Sequence, residues 1–154
     1  MTISGDFSWQ RLIEQAEGLL AVTSNRISNA ANLSALLYQE LADVSWVGFY
    51  FLDGEKLMVG PFQGKPACVS IDMGKGVCGT AAVSGKTIRV ADVESFDGHI
   101  ICDAEARSEI VVPLFKRGEL LAVLDVDSTS LNRFSQDDEK GLTALAKVYL
   151  SSID

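Results

Sequence analysis

Three thiols and one imidazole lie close together in the middle of the chain. Cys68, Cys78, Cys102 and the only histidine, His99, all fall between positions 60 and 109. Glycines and other small residues are also frequent there, where a purely structural segment would carry regular apolar spacing. Thiolates are the reactive form of cysteine and depend on accessible, polar surroundings. The stretch therefore predicts a redox-active site, with the rest of the chain forming its scaffold and pocket.

The three cysteines differ in their surroundings. Cys102 follows the polar residues 97–99 and precedes Asp103, so its thiol is expected to be reachable in a loop. Cys78 lies in an apolar helical turn, which favours a small buried side chain. For Cys68, which falls in a predicted short strand over 67–71, composition does not separate a reactive thiol from a structural one.

Two other kinds of site fit this stretch less well. Zinc sites usually contain Cys-x-x-Cys pairs, whereas 10 and 24 positions separate the successive cysteines here, so we expect no metal site. Residues 74–79 match the Gly-x-Gly-x-x-Gly pattern of dinucleotide-binding folds. The neighbouring strands are predicted hairpins, however, rather than a parallel βαβ unit. A tight glycine turn is the better interpretation.

Carboxyl groups form a second candidate cluster. Asp125 and Asp127 alternate along a predicted strand and so project from the same face. Glu109, at the start of the partner strand, is placed to join them. Three crowded carboxylates cannot all ionise cheaply, so we expect at least one raised pKa. Trp46 and Tyr50, on the first predicted strand, are candidate aromatic walls for a pocket, with core packing as the alternative.

Composition limits the functional classes. The 154 residues suit one domain, 1–154, and 47% of them are hydrophobic, which indicates a packed core. The net charge of −8 disfavours nucleic acid and anionic membranes as partners. No apolar run reaches the roughly 20 residues of a membrane helix, and the N-terminus does not resemble a signal peptide. We therefore expect a cytoplasmic protein, whose thiols are kept reduced; the sequence is compatible with a homodimer but leaves the oligomeric state open.

The periodicity predicts an α+β fold. Helices are expected over 9–22, 26–43 and 77–83 and after Ser135, and strands over 46–52, 56–62, 67–71, 87–90, 110–115 and 120–127. Consecutive hairpins predict a central antiparallel sheet of about six strands with the N- and C-terminal helices packed on one face. Pro113 cannot donate to a ladder, which indicates an edge or a bulge at that point.

Several ordered motifs resemble a known family. They are Trp46-x-Gly48-Phe49-Tyr50, residues 60–68 (GPFQGKPAC), residues 76–81 (GVCGTA), residues 96–103 (FDGHIICD), residues 108–113 (SEIVVP) and residues 123–128 (VLDVDS). This set is similar to the free methionine-(R)-sulfoxide reductases, small enzymes built as a single GAF domain. The resemblance covers residues 28–150.

The resemblance implies reduction of free L-methionine-(R)-S-oxide to L-methionine, without action on the peptide-bound form. It implies that Cys102 is the nucleophile, that Cys68 resolves it as a disulfide, and that Cys78 is a third cysteine of less settled role. Glu109, taken with the two aspartates, would bind substrate and assist catalysis, and Trp46 and Tyr50 would line the pocket.

The same resemblance leads to a mechanistic hypothesis. Cys102 would attack the sulfoxide sulfur while a protonated carboxyl donates to the oxygen, leaving a sulfenic acid that a second thiol captures. No bound cofactor is expected; thioredoxin, itself reduced with NADPH by thioredoxin reductase, would recycle the disulfide. The rival interpretation is a sensory GAF module that binds a cyclic nucleotide or a bilin. The positions of His99 and Cys102, with two residues between them, argue against a bilin site.

Overall fold

The computed structural model of the protein describes residues 6–102 and 104–154, so the predicted polar neighbour Asp103 lies outside the described residues. The helices are α1 Trp9–Leu20, α2 Arg26–Glu40, α3 Gly76–Ser84 and α4 Gln136–Ser152, with a 3₁₀ turn at Val93–Ser95. The strands are β1 Trp46–Asp53, β2 Lys56–Gln63, β3 Ser70–Asp72, β4 Ile88–Val90, β5 Ser108–Lys116 and β6 Glu119–Ser128. None of these helices is long and apolar enough to cross a membrane.

The six strands form one antiparallel sheet in the order β3-β2-β1-β6-β5-β4. Short turns join β1 to β2 and β5 to β6, and Gly54 takes the positive φ of 65° that the first turn requires. Helices α1, α2 and α4 pack together and against one face of the sheet, while α3 lies against β5 and β6. The predicted α+β sheet with terminal helices on one face is confirmed.

Strand alternation separates two apolar cores. Phe49, Ile110 and Leu124 point to the helices α1, α2 and α4 and are fully buried there. The intervening residues Val111 and Val123 point to the other face, where they pack under α3 and the long loops. Because side chains alternate with a period of two, one strand serves both the core and the opposite face. The predicted acidic cluster lies on that opposite face.

The sequence-based boundaries need three corrections. Helices α1 and α2 end at Leu20 and Glu40, two and three residues before their predicted ends. The predicted strand over 67–71 is wrong in its first half, since β3 begins only at Ser70. Cys68 therefore lies in a loop rather than in a strand. Because Cys68 is not held in a strand register, its backbone and thiol can approach a second loop.

Two local predictions were correct. Pro113 pairs with Val123 of β6, but it lies beyond the end of the short β4, which pairs only with residues 109–111 of β5. Its missing N–H therefore breaks no ladder on that edge. At the start of α4, the side chain of Ser135 accepts from the Asp138 N–H and the Asp138 carboxylate accepts from the Ser135 N–H, a complete capping box.

Candidate active site

Two strands and their register bring the three predicted carboxyl groups together. Glu109 on β5 lies directly opposite Asp127 on β6. Two residues along β6, Asp125 projects from the same face and pairs with Gly48 of β1. All three carboxyl side chains are buried, with relative exposures of 8% for Glu109, 5% for Asp125 and 9% for Asp127. The expectation that they share one face is confirmed.

These carboxyl groups form the floor of a cavity of about 240 Å³. Of the eight candidate site residues named from the sequence, seven line it: Trp46, Tyr50, Cys78, Cys102, Glu109, Asp125 and Asp127. The indole of Trp46 stacks between two other rings, at centroid distances of 5.9 Å from Tyr50 and 5.2 Å from Phe62. The close approach of this indole depends on Gly48, since a Cβ there would lie 2.6 Å from the ring. Trp46 and Tyr50 are both buried, so they are part of the apolar core and of the cavity wall at once.

Cys68, the eighth candidate, is joined to Cys102 by a disulfide whose Cα atoms lie 5.4 Å apart. This bond links the loop before β3 to the loop that precedes β5. Both cysteines are partly exposed, and Cys102 contributes to the cavity wall. A disulfide-bonded pair of cysteines therefore lies at the edge of an acidic, aromatic cavity.

Hydrogen bonds from β1 hold the loop that carries Cys68. The indole N–H of Trp46 donates to the carbonyl of Lys65 at 3.0 Å, and the Tyr50 hydroxyl donates to the carbonyl of Cys68 at 3.2 Å. These contacts satisfy backbone carbonyls that a loop otherwise leaves to water. Sequence reasoning treated both rings as pocket walls or core residues and missed their hydrogen bonds to the loop, because nothing in the sequence indicates which carbonyl lies above a ring.

The loop that carries Cys102 is held by an apolar contact. Gly76 has a φ of +64°, and Ile100 packs so closely that a Cβ at Gly76 would lie 3.2 Å from its side chain. Ile100 also belongs to the apolar cluster on this face of the sheet. The glycine thus serves both the turn into α3 and the seating of the loop above it. His99 lines the same cavity from this loop.

Cys78 lies in the first turn of α3 and is 4% exposed, as its apolar surroundings predicted. Its Sγ nevertheless points toward the carboxyl cluster, 4.0 Å from Oε2 of Glu109. Burial raises the pKa of this thiol, and the negative charges of Asp125, Glu109 and Asp127 raise it further. The third thiol is therefore a buried side chain and also part of the cavity.

The expected raised carboxyl pKa is found at Asp125. Burial raises its pKa well above the ordinary range, the charges of Asp127 and Glu109 add to this, and hydrogen bonds with these two carboxyls favour its protonated form. Burial is also the main cause that raises the pKa of Tyr50, followed by the charge of Asp125. The cavity floor therefore favours the neutral form of Asp125.

The fold and the sequence both match known proteins. The GAF domain model matches residues 15–149. The free methionine-R-sulfoxide reductase of Escherichia coli is 50% identical over 127 residues, which cover 82% of this chain and 77% of that protein. The chain belongs to this reductase family.

Solved structures of the reductase family superpose closely on this chain. The reduced form of fRMsr of Staphylococcus aureus gives a TM-score of 0.94 at 44% identity and covers both chains completely. The free methionine-R-sulfoxide reductase of Neisseria meningitidis in complex with its substrate gives a TM-score of 0.93 at 38% identity, covering 99% of this chain and 92% of that one. The expected family and its GAF fold are therefore confirmed for this chain.

Proposed function

We propose that this member of the reductase family reduces free L-methionine-(R)-S-oxide to L-methionine. The observation that carries the proposal is the disulfide between Cys68 and Cys102 at the edge of the cavity formed by Trp46 and the three carboxyl groups. Related proteins named for this reaction support the substrate. A disulfide at a substrate-sized cavity is the product expected after one reductive turnover.

In the first step the thiolate of Cys102 attacks the sulfoxide sulfur and the oxygen passes to the cysteine. The thiol and methionine sulfoxide give Cys102 sulfenic acid and methionine, so the cysteine is oxidised by two electrons and the substrate is reduced by two. The thiol of Cys68 then displaces the hydroxyl, which leaves as water when the disulfide forms. The structure holds the two sulfurs already bonded, which supports Cys68 rather than Cys78 as the resolving thiol.

The attack requires a proton on the sulfoxide oxygen, and we assign its source to the carboxyl cluster. Asp125 has a raised pKa because it is buried beside Asp127 and Glu109, so its carboxyl favours the protonated form. A carboxyl that is protonated at neutral pH can act as a general acid, whereas an ordinary exposed aspartate cannot. Glu109 lies opposite Asp127 and so belongs to the same cluster of carboxyl groups.

The same cluster gives a physical basis for selectivity toward the free amino acid. An ammonium group entering the cavity would meet buried carboxyl oxygens, among which Oδ1 of Asp125 has no hydrogen-bond donor in the described part of the chain. A methionine sulfoxide inside a peptide has no such charge and would leave these groups unpaired, which costs about 1–3 kcal/mol per group. The methyl and methylene groups of the substrate would contact Trp46, whose ring offers apolar surface.

Recycling requires a protein dithiol, for which we propose thioredoxin, reduced with NADPH by thioredoxin reductase. Thiol–disulfide exchange transfers two electrons to the Cys68–Cys102 bond and oxidises the thioredoxin dithiol. Next to these cysteines in sequence are Val69 and Ile101, which are 65% and 72% exposed. Apolar side chains exposed beside a redox disulfide are suited to docking such a partner.

The test is NADPH oxidation with thioredoxin, thioredoxin reductase and each separate epimer of free methionine sulfoxide. We expect oxidation with the R epimer and none with the S epimer or with N-acetyl-methionine-(R)-sulfoxide, which lacks the ammonium charge. Cys102→Ser should abolish turnover. The absence of turnover with the R epimer would refute the proposal and favour a sensory GAF module.

A single-turnover experiment tests the resolving thiol. Pre-reduced protein is mixed with one equivalent of the R epimer without reductant, and the disulfide is located by peptide mass mapping. We expect the Cys68–Cys102 bond in the wild type. A Cys78–Cys102 bond as the main product would contradict the assignment of Cys68.

A further inference from the structure

Three side chains on the cavity floor are of types that bind metal ions. Sγ of Cys78, a carboxylate oxygen of Glu109 and one of Asp125 all lie within 4.8 Å of one another. They come from α3, β5 and β6, which are packed together, so their positions are fixed by the core rather than by a mobile loop. We propose that these three side chains bind a thiophilic divalent cation, with Zn²⁺ as the natural candidate.

The donor atoms suit Zn²⁺ better than Mg²⁺ or Ca²⁺. Zinc accepts mixed sulfur and carboxylate ligands at about 2.0–2.3 Å, and three protein ligands leave a fourth position open. Ions such as Mg²⁺ and Ca²⁺ prefer six or more oxygen ligands, which a site containing a thiolate does not offer. The donors must close by about 1 Å around the ion, a distance that side-chain rotation at Glu109 can supply.

An independent feature of the site also indicates a missing cationic ligand. Asp125 lines the cavity floor and is 95% buried, and its Oδ1 has no hydrogen-bond donor among the described residues. No Lys, Arg or His nitrogen of those residues forms a salt bridge with Asp125 or Glu109. A buried carboxyl oxygen normally has a hydrogen-bond donor or a metal ion as its partner. A divalent cation would neutralise more of this cluster than the single charge of an ammonium group.

The position of the site has a functional consequence that rests on the proposed reductase activity. The side chains of Cys78, Glu109 and Asp125 line the same cavity as Cys102 and Trp46. A bound cation would use the same carboxylates that the substrate ammonium needs. Zn²⁺ and methionine sulfoxide should therefore exclude one another, so that Zn²⁺ acts as a competitive inhibitor.

The binding test uses the oxidised protein, in which the disulfide occupies Cys68 and Cys102 and leaves Cys78 as the one free thiol. Cd²⁺ serves as the spectroscopic probe because a cadmium–thiolate bond has a charge-transfer band in the ultraviolet. We expect one equivalent of Cd²⁺ to produce this band and Zn²⁺ to displace it. Cys78→Ser should abolish the band, and Asp125→Asn should weaken binding by at least about tenfold.

Control variants separate this site from other thiols and acids. A Cys68→Ser/Cys102→Ser double variant keeps Cys78 without the disulfide and should retain the band. Asp137→Asn removes an exposed carboxylate in the first turn of α4 and should leave binding unchanged. Circular dichroism establishes that each variant is folded. A folded wild-type protein without the band, or Cd²⁺ affinity that survives both Cys78→Ser and Asp125→Asn, would overturn the proposal.

A steady-state experiment tests the competition separately. Zn²⁺ should raise the apparent KM for the R epimer and leave kcat unchanged. If Cd²⁺ and Zn²⁺ bind as expected but no substrate is turned over, the proposed function fails and the metal site stands. If turnover is normal and no metal binds, the metal site fails and the proposed function stands.

Discussion

The hydroxyl of Tyr50 donates a hydrogen bond to the backbone carbonyl of Cys68 at 3.2 Å, so strand β1 holds the loop that carries one half of the disulfide. The ring of Tyr50 is buried in the core while its hydroxyl reaches this loop. Together with the hydrogen bond from Trp46 to the carbonyl of Lys65, this contact positions the loop in which Cys68 meets Cys102. Resolution of a sulfenic acid depends on such proximity, because the second thiol must meet the oxidised sulfur before other reactants do.

Tyr50→Phe should therefore slow disulfide formation. The variant keeps the ring and loses one hydrogen bond, which should cost about 0.5–1.5 kcal/mol of the free energy of unfolding. The sulfenic acid on Cys102 should live longer, and more of it should be trapped by dimedone after one turnover. Mass spectrometry of the trapped adduct measures this effect.

Tyr149→Phe is the matched control for Tyr50→Phe. Its hydroxyl also donates to a backbone carbonyl, that of Arg26 at 2.8 Å, but it lies in the helical core away from the cavity. A similar loss of stability is expected without a change in dimedone trapping. Equal trapping in the two variants would show that Tyr50 acts only through stability.

Asp125→Asn should alter the pH dependence of stability. Asp125 has a raised pKa in the folded protein because it is buried beside Asp127 and Glu109, so folding favours its protonated form. Above about pH 4 the unfolded chain releases this proton more readily than the folded one, and stability is lost as the pH rises toward the folded pKa. The neutral amide avoids this loss.

The measurement for Asp125→Asn is urea unfolding of variant and wild type, both with the disulfide intact and with EDTA present, from pH 4 to pH 8. The variant should gain stability relative to the wild type as the pH rises. Asp137→Asn, at an exposed position, should show no such trend. A constant difference between Asp125→Asn and wild type across this range would contradict the assignment.

Strand-level features of the site were predictable from the sequence, while its loop contacts were not. Asp125 and Asp127 were placed on one face by simple alternation, and Glu109 joined them because hairpin pairing brings β5 beside β6. Cys68 was misplaced in a strand because the run 67–71 has strand-like composition. The carbonyl contacts of Trp46 and Tyr50 depend on how a loop folds over the sheet, which no local pattern encodes.

The double character of Cys78 marks another limit of sequence reasoning. Its apolar helical turn correctly predicted burial. The same turn, however, faces the end of β5, and this brings Sγ to 4.0 Å from Glu109. For Cys78, a buried position and a place in the site were treated as alternatives. The site is built on the face of the sheet that α3 covers, so some of its residues are buried.

Gly76→Ala should disturb the loop that carries Cys102. An alanine there would be strained at a φ of +64° and would press on Ile100 at 3.2 Å. We expect a loss of stability of about 1–2 kcal/mol and slower turnover, since Ile100 seats the loop at the cavity. Thermal unfolding and kcat with dithiothreitol as reductant measure the two effects.

Gly98→Ala is the control for Gly76→Ala. Gly98 lies in the loop that carries Cys102 and has a φ of +80°, but no atom lies within 4 Å of an added Cβ. It should show a loss of stability from backbone strain and a smaller change in kcat. Equal kcat losses in the two variants would show that strain alone, rather than the contact with Ile100, accounts for the effect.

Val69→Asp should weaken recycling by thioredoxin. Val69 follows Cys68 and is 65% exposed, so a carboxylate there costs little in folding but removes apolar contact area from the proposed docking surface. The apparent KM for thioredoxin should rise several-fold, while turnover with dithiothreitol stays unchanged because a small reductant needs no docking surface. Val83→Asp is the matched control, since Val83 is 62% exposed on α3 and does not adjoin either disulfide cysteine in sequence. An equal rise in KM for both variants would indicate general repulsion by added charge and would contradict a docking role for Val69.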